Sequence, residues 1–269
     1  MTAFAANSLL CRLALRGGHI DPASATSVRL VAGALVLWLL TGLRGGGAVR
    51  SGTWISAAAL FVYAAAFSFA YVSLGVGVGA LLLFGAVQAT MLAAGYRSGE
   101  RPGFAQGAGL VLSLAGLVYL VRPGLAAPPL WPAALMLAAG VAWGFYSLRG
   151  RAAADPVRAT AGNFLLAAPL ALLFNLPFLP RLHADAAGVG YALASGVLAS
   201  GLGYVIWYAA LKGLTATRAA IVQLSVPVIA AFGGVLLLDE SVTTRLVIAS
   251  CTILGGVALA VIGKQVRAL

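Results

Sequence analysis

Three sets of residues in this chain have types and spacings suited to holding a solute. Tyr63, Phe67 and Tyr71 recur at i, i+4 and i+8, so on a helix they share one face. Tyr204, Trp207 and Tyr208 form a second aromatic face, and Trp143 with Tyr146, at i and i+3, a third. Beside these three sets stand the amides Asn7, Gln88, Asn163 and Gln223, inside or beside apolar stretches. An unpaired amide there costs several kcal/mol, so each needs a partner. Helix–helix hydrogen bonding, worth about 0.6 kcal/mol on average in a bilayer, is one use; hydrogen bonding to a solute is the other. An aromatic wall with amide donors suits an amphipathic or aromatic solute. Interfacial anchoring competes for the rings, most strongly at Trp54, Trp131, Tyr71 and Tyr208, near the ends of their stretches.

The titratable residues point away from acid–base chemistry. Asp21, Glu100, Asp155, Asp185, Asp239 and Glu240 all fall in loops or at helix ends, as do His19 and His183. Glu100 and Glu240 are expected to face water. An acid inside a span is the usual mark of a proton relay or cation site. Its absence favours a neutral or zwitterionic solute moving without an obligatory proton gradient; coupling through an acid at a helix end is the alternative. Leu-Ala-Ser-Gly occurs around Ser195 and Ser200, but no span supplies the histidine that a serine nucleophile needs. Metal-ligand spacing is missing around Cys11 and Cys251, which read as small packing residues. Gly75-x-Gly77-x-x-Ala80 matches the dinucleotide fingerprint in letters only, since no strand precedes it. The expectation is no enzyme, no cofactor, no metal and no nucleic acid.

The elements that must carry these residues are membrane helices. Of the 269 residues, 62% are hydrophobic and 9% charged, against about 25% charged in soluble domains. The mean hydropathy is +1.02. Ten stretches approach the ~20 residues that cross a bilayer: 3–18, 26–43, 53–73, 75–95, 103–121, 130–148, 159–179, 187–210, 216–238 and 246–263. Their continuous apolarity argues against a β-barrel. The glycines Gly75, Gly77 and Gly79 suggest a tight turn between the third and fourth. Pro227 removes one backbone hydrogen bond in the ninth and frees the carbonyl of Gln223, as a packing kink or a hinge.

The chain also repeats itself. Asp21-Pro22 followed by Ala25-Thr26 recurs as Asp155-Pro156 followed by Ala159-Thr160, and a shift of 140 aligns Phe67 with Trp207, Glu100 with Glu240 and Gly116 with Gly256. Two halves, 1–124 and 125–269, with five helices each, must insert in opposite senses, the inverted-repeat plan of secondary transporters. The bases behind the net charge of +11 fall mostly in short gaps, where they orient helices. With the N-terminus inside, eleven bases fall on the inner side. Six fall outside: Arg12, Arg16, Arg29, Arg122, Arg181 and Arg245. Both termini are therefore expected in the cytoplasm, in a plasma membrane of bacterial type.

Over nearly its whole length the chain resembles the EamA-type transporters of the drug/metabolite transporter superfamily. The resemblance rests on the ten short spans in two halves, Phe4-Ala5-Ala6-Asn7-Ser8, and Pro22 with Arg29 entering the second span. It rests also on Pro227, then Leu238-Asp239-Glu240, then Gly255-Gly256. Val87 departs from it, standing where the repeat would place a second proline. The resemblance implies export or exchange of small metabolites by alternating access, with amino-acid exporters among the members and the aromatic exporters nearest. A proton-coupled antiporter is the alternative within the family; a channel or an intramembrane enzyme lies outside it. The candidate binding set is Asn7, Tyr63, Phe67, Tyr71, Gln88, Trp143, Tyr146, Tyr204, Trp207 and Gln223, with Pro227 as hinge. The expected partners are a small solute and the bilayer, for a monomer.

Overall fold

In the computed structural model, residues 1–43, 51–97, 103–124, 127–151, 153–211, 223 and 225–265 are described. Within them the chain is helical, with one isolated bridge between Ile20 and Ala184. The helices are α1 (Thr2–Arg16), α2 (Pro22–Gly42), α3 (Trp54–Tyr71), α4 (Val76–Arg97), α5 (Phe104–Val121), α6 (Leu130–Arg151) and α7 (Pro156–Asn175). A 3₁₀ stretch, Leu176–Arg181, extends α7. Next comes one rod of three parts: α8 (Ala186–Ala194), a π-helical segment (Ser195–Leu202) and α9 (Gly203–Leu211). α10 (Ser225–Leu238) and α11 (Thr244–Gln265) complete the chain.

Among the described residues, 7 helices are long and apolar enough to cross a membrane; Ser225–Leu238 and Thr244–Ala260 are apolar but shorter. Their outer faces carry exposed Leu39, Val111, Val118, Leu173, Ile206, Phe232 and Leu237, side chains that only a lipid environment leaves uncovered at no cost. Trp54 and Trp131 are 60% and 73% exposed at helix ends, as interfacial anchors should be.

Two helices begin three or four residues before the expected start, for a shared reason. Asp21 caps α2, accepting from the N–H groups of Ala23 and Ser24, and Pro22 opens the first turn. Asp155 caps α7 through Val157 and Arg158, followed by Pro156. Thr26 and Thr160 each donate to the proline carbonyl four residues back, both at 2.7 Å. A proline loses nothing at a first turn, where its missing N–H would be unpaired anyway. Gly77 and Gly79 lie inside α4; the turn is confined to residues 72–75.

Helices distant in sequence pack on one another. α5 packs on α11, α2 on α7, α3 on α6, α1 on α8, α4 on α6 and α1 on α10. Small residues permit the closest of these approaches: a side chain on Gly109 or Gly256 would collide with the facing helix.

Candidate functional site

α3 carries one polar-to-aromatic row along its buried face: Ser56, Tyr63, Phe67 and Tyr71. At 1.5 Å per residue the row spans about 22 Å. Rings from other helices close on it. Tyr63 lies 4.9 Å from Trp143 and 5.4 Å from Phe67, centroid to centroid, and Phe67 lies 4.7 Å from Tyr71. Trp143 of α6 is 5.6 Å from Tyr146 and 5.0 Å from Tyr204 of α9. Phe4 of α1 meets Trp143, Tyr204 and Trp207 edge-on at 5.9–6.1 Å, and Phe164 of α7 meets Tyr204 at 5.7 Å. These are the offset and edge-to-face distances that aromatic pairs prefer. The predicted aromatic residues therefore converge, but they pack on each other instead of lining an open central space.

The amides divide. Asn7 joins the column: Nδ2 donates to Tyr63 Oη at 3.2 Å, and Oδ1 accepts from Ser195 Oγ at 2.6 Å. Ser195 opens the π-helical segment, a geometry frequent at functional sites. Gln88 is buried and its Nε2 has no hydrogen-bond partner among the described residues. Gln223 is buried, and Pro227 is buried in the first turn of α10 as described. The side chain of Tyr208 lies outside the described residues, as does Glu100.

At the end of the column nearest the N-terminus of α3 there is a cavity of about 890 Å³, lined by Ser51, Thr53, Ser56, Thr90, Ala93, Ala94, Arg97, Phe145, Leu148, Arg149, Gly150, Ala153, Ala159 and Asn163. None of the ten expected binding residues is in this lining. Asn163 connects the two regions: Oδ1 accepts from the Thr53 N–H at 2.9 Å, and Tyr146 lies beside Asn163 and Thr160.

The opposite end is closed by polar contacts. Both carboxylate oxygens of Glu240 accept from the Val76 N–H at the start of α4, at 2.8 and 3.0 Å, and Oε1 lies 3.7 Å from Arg12 Nε. Arg12 Nη1 also donates to the carbonyls of Tyr71 and Val72, and Arg16 to that of Leu238. Gly75 and Gly234 flank the carboxylate, where a Cβ would stand 3.0 and 2.8 Å from Oε2. Nearby, His19 Nδ1 meets Asp185 Oδ2 at 2.7 Å; main-chain bonds join Asp21 to His183 and Asp185 to His19, each at 2.8 Å.

Three expectations need correction. Glu240 does not face water: it turns inward onto a helix N-terminus, where the peptide dipoles favour an anion. Tyr71 is no interfacial anchor, because its side chain is fully buried against Phe67 and donates to the Val76 carbonyl at 3.4 Å. Arg29 is not a base at the outer surface. It is 3% exposed, with its guanidinium carbon 5.4 Å from the Tyr63 ring centre and 5.0 Å from that of Phe67. Its signal was present in the sequence, since Arg29 falls inside an apolar stretch, between Val28 and Leu30. Phe4, Phe164 and Ser195 also belong to the column, but nothing in their spacing sets them apart from ordinary apolar or small residues.

The EamA-like transporter family profile matches residues 130–262. The chain belongs to that family. An uncharacterized protein of Pseudomonas aeruginosa is 55% identical over 269 residues, spanning 100% of this chain and 94% of its own. An uncharacterized transporter of Archaeoglobus fulgidus is 28% identical over 60% of this chain and 59% of its own length. Another, YoaV of Bacillus subtilis, is 26% identical over 55% and 54%. A crystal structure superposes with a TM-score of 0.69 at 23% identity, covering 96% of this chain and 94% of that one, which establishes a shared fold. This EamA-like protein is thus a multi-pass membrane transporter of small molecules.

Proposed function

We propose that this transporter exports or exchanges zwitterionic amino acids, aromatic ones foremost, by alternating access. The observation that carries the reading is the column of rings from α1, α3, α6, α7 and α9, standing between an open cavity and a pinned face. Lipid would be satisfied by leucine; convergent rings with Asn7, Tyr63 and Ser195 among them suit a solute with one aromatic and one polar end. The rings touch in the conformation described, so they must part for loading while the pinned face stays shut.

The inverted repeat is part of this reading, with ten spans, and three features support it. The Asp-Pro caps of α2 and α7 have the same hydrogen bonds. Ser113 Oγ donates to the carbonyl of Ile253 at 3.2 Å, 140 positions on, which is its own counterpart under the repeat shift; a two-fold axis between α5 and α11 brings such pairs together. The packing of α3 on α6 is matched by α1 on α8, and that of α4 on α6 by α1 on α10. The excess of bases at the cavity end makes that end cytoplasmic, in a bacterial-type plasma membrane, so the chain is inward-facing. No acid described lies within the column, so movement needs no obligatory proton gradient.

Counterflow of L-phenylalanine in proteoliposomes, with and without a pH gradient, tests the reading. Exchange should persist without the gradient. Tyr63→Ala and Trp207→Ala should weaken apparent affinity several-fold, as the loss of an aromatic contact worth ~0.5–1.5 kcal/mol implies, while leaving the purified protein monodisperse. Normal transport by both variants would remove the column from the pathway, and strict dependence on the gradient would favour a proton-coupled antiporter.

A further inference from the structure

We infer that Arg29 is the anchor for the carboxylate of the transported solute; the inference rests on the amino-acid reading above and deepens it. Arg29 stands two turns into α2, about 10 Å from its start at 1.5 Å per residue. It is 3% exposed, and its Nη1 is buried with no hydrogen-bond partner among the described residues. A cation at such depth is costly unless it is paired, and paired well.

The chain offers it no partner of its own among the described acids. Asp21, Asp155 and Asp185 are occupied as helix caps, and Glu240 holds the Val76 N–H beside Arg12. Asp239 lies in the turn after α10. Tyr63 and Phe67 attract the guanidinium through their π faces, which offsets part of the cost and fixes its plane but leaves the charge uncancelled. The counter-ion must therefore arrive with the solute.

The surroundings are those of a site. Tyr63, over which Arg29 lies, receives a hydrogen bond from Asn7, which in turn accepts one from Ser195. Gly196, the next residue of the π-helical segment, abuts the main-chain carbonyl of Arg29, and a side chain there would collide with it. One guanidinium, one phenol, one amide and one hydroxyl thus make a polar island inside an aromatic column. A planar guanidinium matches a planar carboxylate in a two-pronged bond, which an ammonium or a single-atom anion cannot reproduce. The solute's carboxylate sits on Arg29 and its apolar end enters the rings around Trp143 and Tyr204.

Calorimetric binding to the purified full chain separates the outcomes, using four probes. L-Phenylalanine carries carboxylate and amine, 3-phenylpropionate the carboxylate alone, 2-phenylethylamine the amine alone, and L-phenylalaninamide the amine beside a neutral amide. Both carboxylates should bind, and the other two should bind roughly ten- to a hundredfold more weakly, as the loss of a charge-assisted bond implies. Arg29→Gln should weaken L-phenylalanine by the same factor and abolish the discrimination; Arg29→Lys, which keeps the charge but not the fork, should fall between. Equal binding of L-phenylalanine and its amide overturns the anchor and leaves the amino-acid reading standing. Binding of 3-phenylpropionate without L-phenylalanine keeps the anchor and overturns that reading. Failure of both carboxylates at millimolar concentration overturns both. The probe series needs no variant, so it decides the matter even if Arg29→Gln does not fold.

Discussion

The two ends of the aromatic column are built from similar materials and end up in different states. At the pinned end, Asp185 faces His19 and Glu240 faces Arg12, partners far apart in the chain. At the cavity end, Arg97 and Arg149 line the opening; Arg149 donates to Ser56 Oγ at 2.9 Å, and the described acid at this end, Asp155, lies 3.3 Å from Arg158 within its own helix turn. Opposite charges can draw facing helices together, whereas Arg97 and Arg149 meet no acid among the described residues. Among the described residues, ion pairs between helices distant in sequence stand at the pinned end, and the pair at the cavity end stays within one helix turn. A positive mouth also raises the local concentration of carboxylate-bearing solutes.

Removing the acid that does most to hold the pinned end should have the largest effect. Glu240→Gln keeps the shape but loses the charge that meets both Arg12 and the Val76 N–H. Hydrogen bonds to charged groups are worth about 1.5–3 kcal/mol, so the pinned state should lose about that much against the open one. Cys11, buried one residue from Arg12, is a native reporter. In a Cys251→Ser background, maleimide labelling of Cys11 in Glu240→Gln should be at least about tenfold faster than in the parent. An unchanged rate would mean that the apolar packing of α1 and α10 closes this end without the ion pair.

The helical architecture was legible in the sequence because membrane spans announce themselves by length and apolarity. The boundaries at Pro22 and Pro156 were missed since a proline at a first turn looks like a loop until its Asp cap is seen. The convergence of Tyr63, Phe67, Trp143 and Tyr204 could be read from spacing on three helices. That they would pack ring on ring could not, because inter-helix distance is set by small residues elsewhere. Glu240 was misplaced because its position at a helix end does not say which way its side chain turns, whereas the place of Arg29 between Val28 and Leu30 carried a signal of burial. Glu240 follows a residue of positive φ, Asp239 at 52°, which redirects the chain at the end of α10.

A second contrast separates glycines that the pinned end requires from those the lipid tolerates. At Gly79 a Cβ would stand 2.5 Å from the Tyr71 ring, which has no room to withdraw between Phe67 and α4. Gly79→Ala should therefore cost about 1–3 kcal/mol, the usual penalty of overpacking. At Gly107 of α5 nothing lies within 4 Å, so Gly107→Ala should be neutral or stabilising by a few tenths to about 1 kcal/mol through helix propensity alone. Thermal unfolding of both variants in detergent checks the sign of each. A Gly79→Ala protein as stable as the parent would show that Tyr71 is not held where the column meets the pinned end.

The smallest expected effect concerns acid, and it acts on the pinned end. The Asp185 carboxyl is held below the usual carboxylate range, first by the N–H of Gly188 at 2.8 Å and then by the bond from His19. Because its pKa is lower in the folded protein than in the unfolded chain, its contribution is fully present above the ordinary carboxylate value. It is lost as the pH falls through the lower folded value. Asp185→Asn removes that linkage while leaving an oxygen to accept from Gly188. The melting temperature of the parent should exceed that of Asp185→Asn at neutral pH by a degree or two at most, since the pair is exposed and screened. The gap should close as the pH is taken below the carboxylate range. At the cavity end, Arg149→Gln replaces a residue with no acid in its described contacts, so its difference from the parent should stay constant over the same acid range. If Asp185→Asn shows no pH-dependent gap, the main-chain bonds between residues 19–21 and 183–185 hold this end by themselves, and the charges at the two ends differ in position but not in consequence.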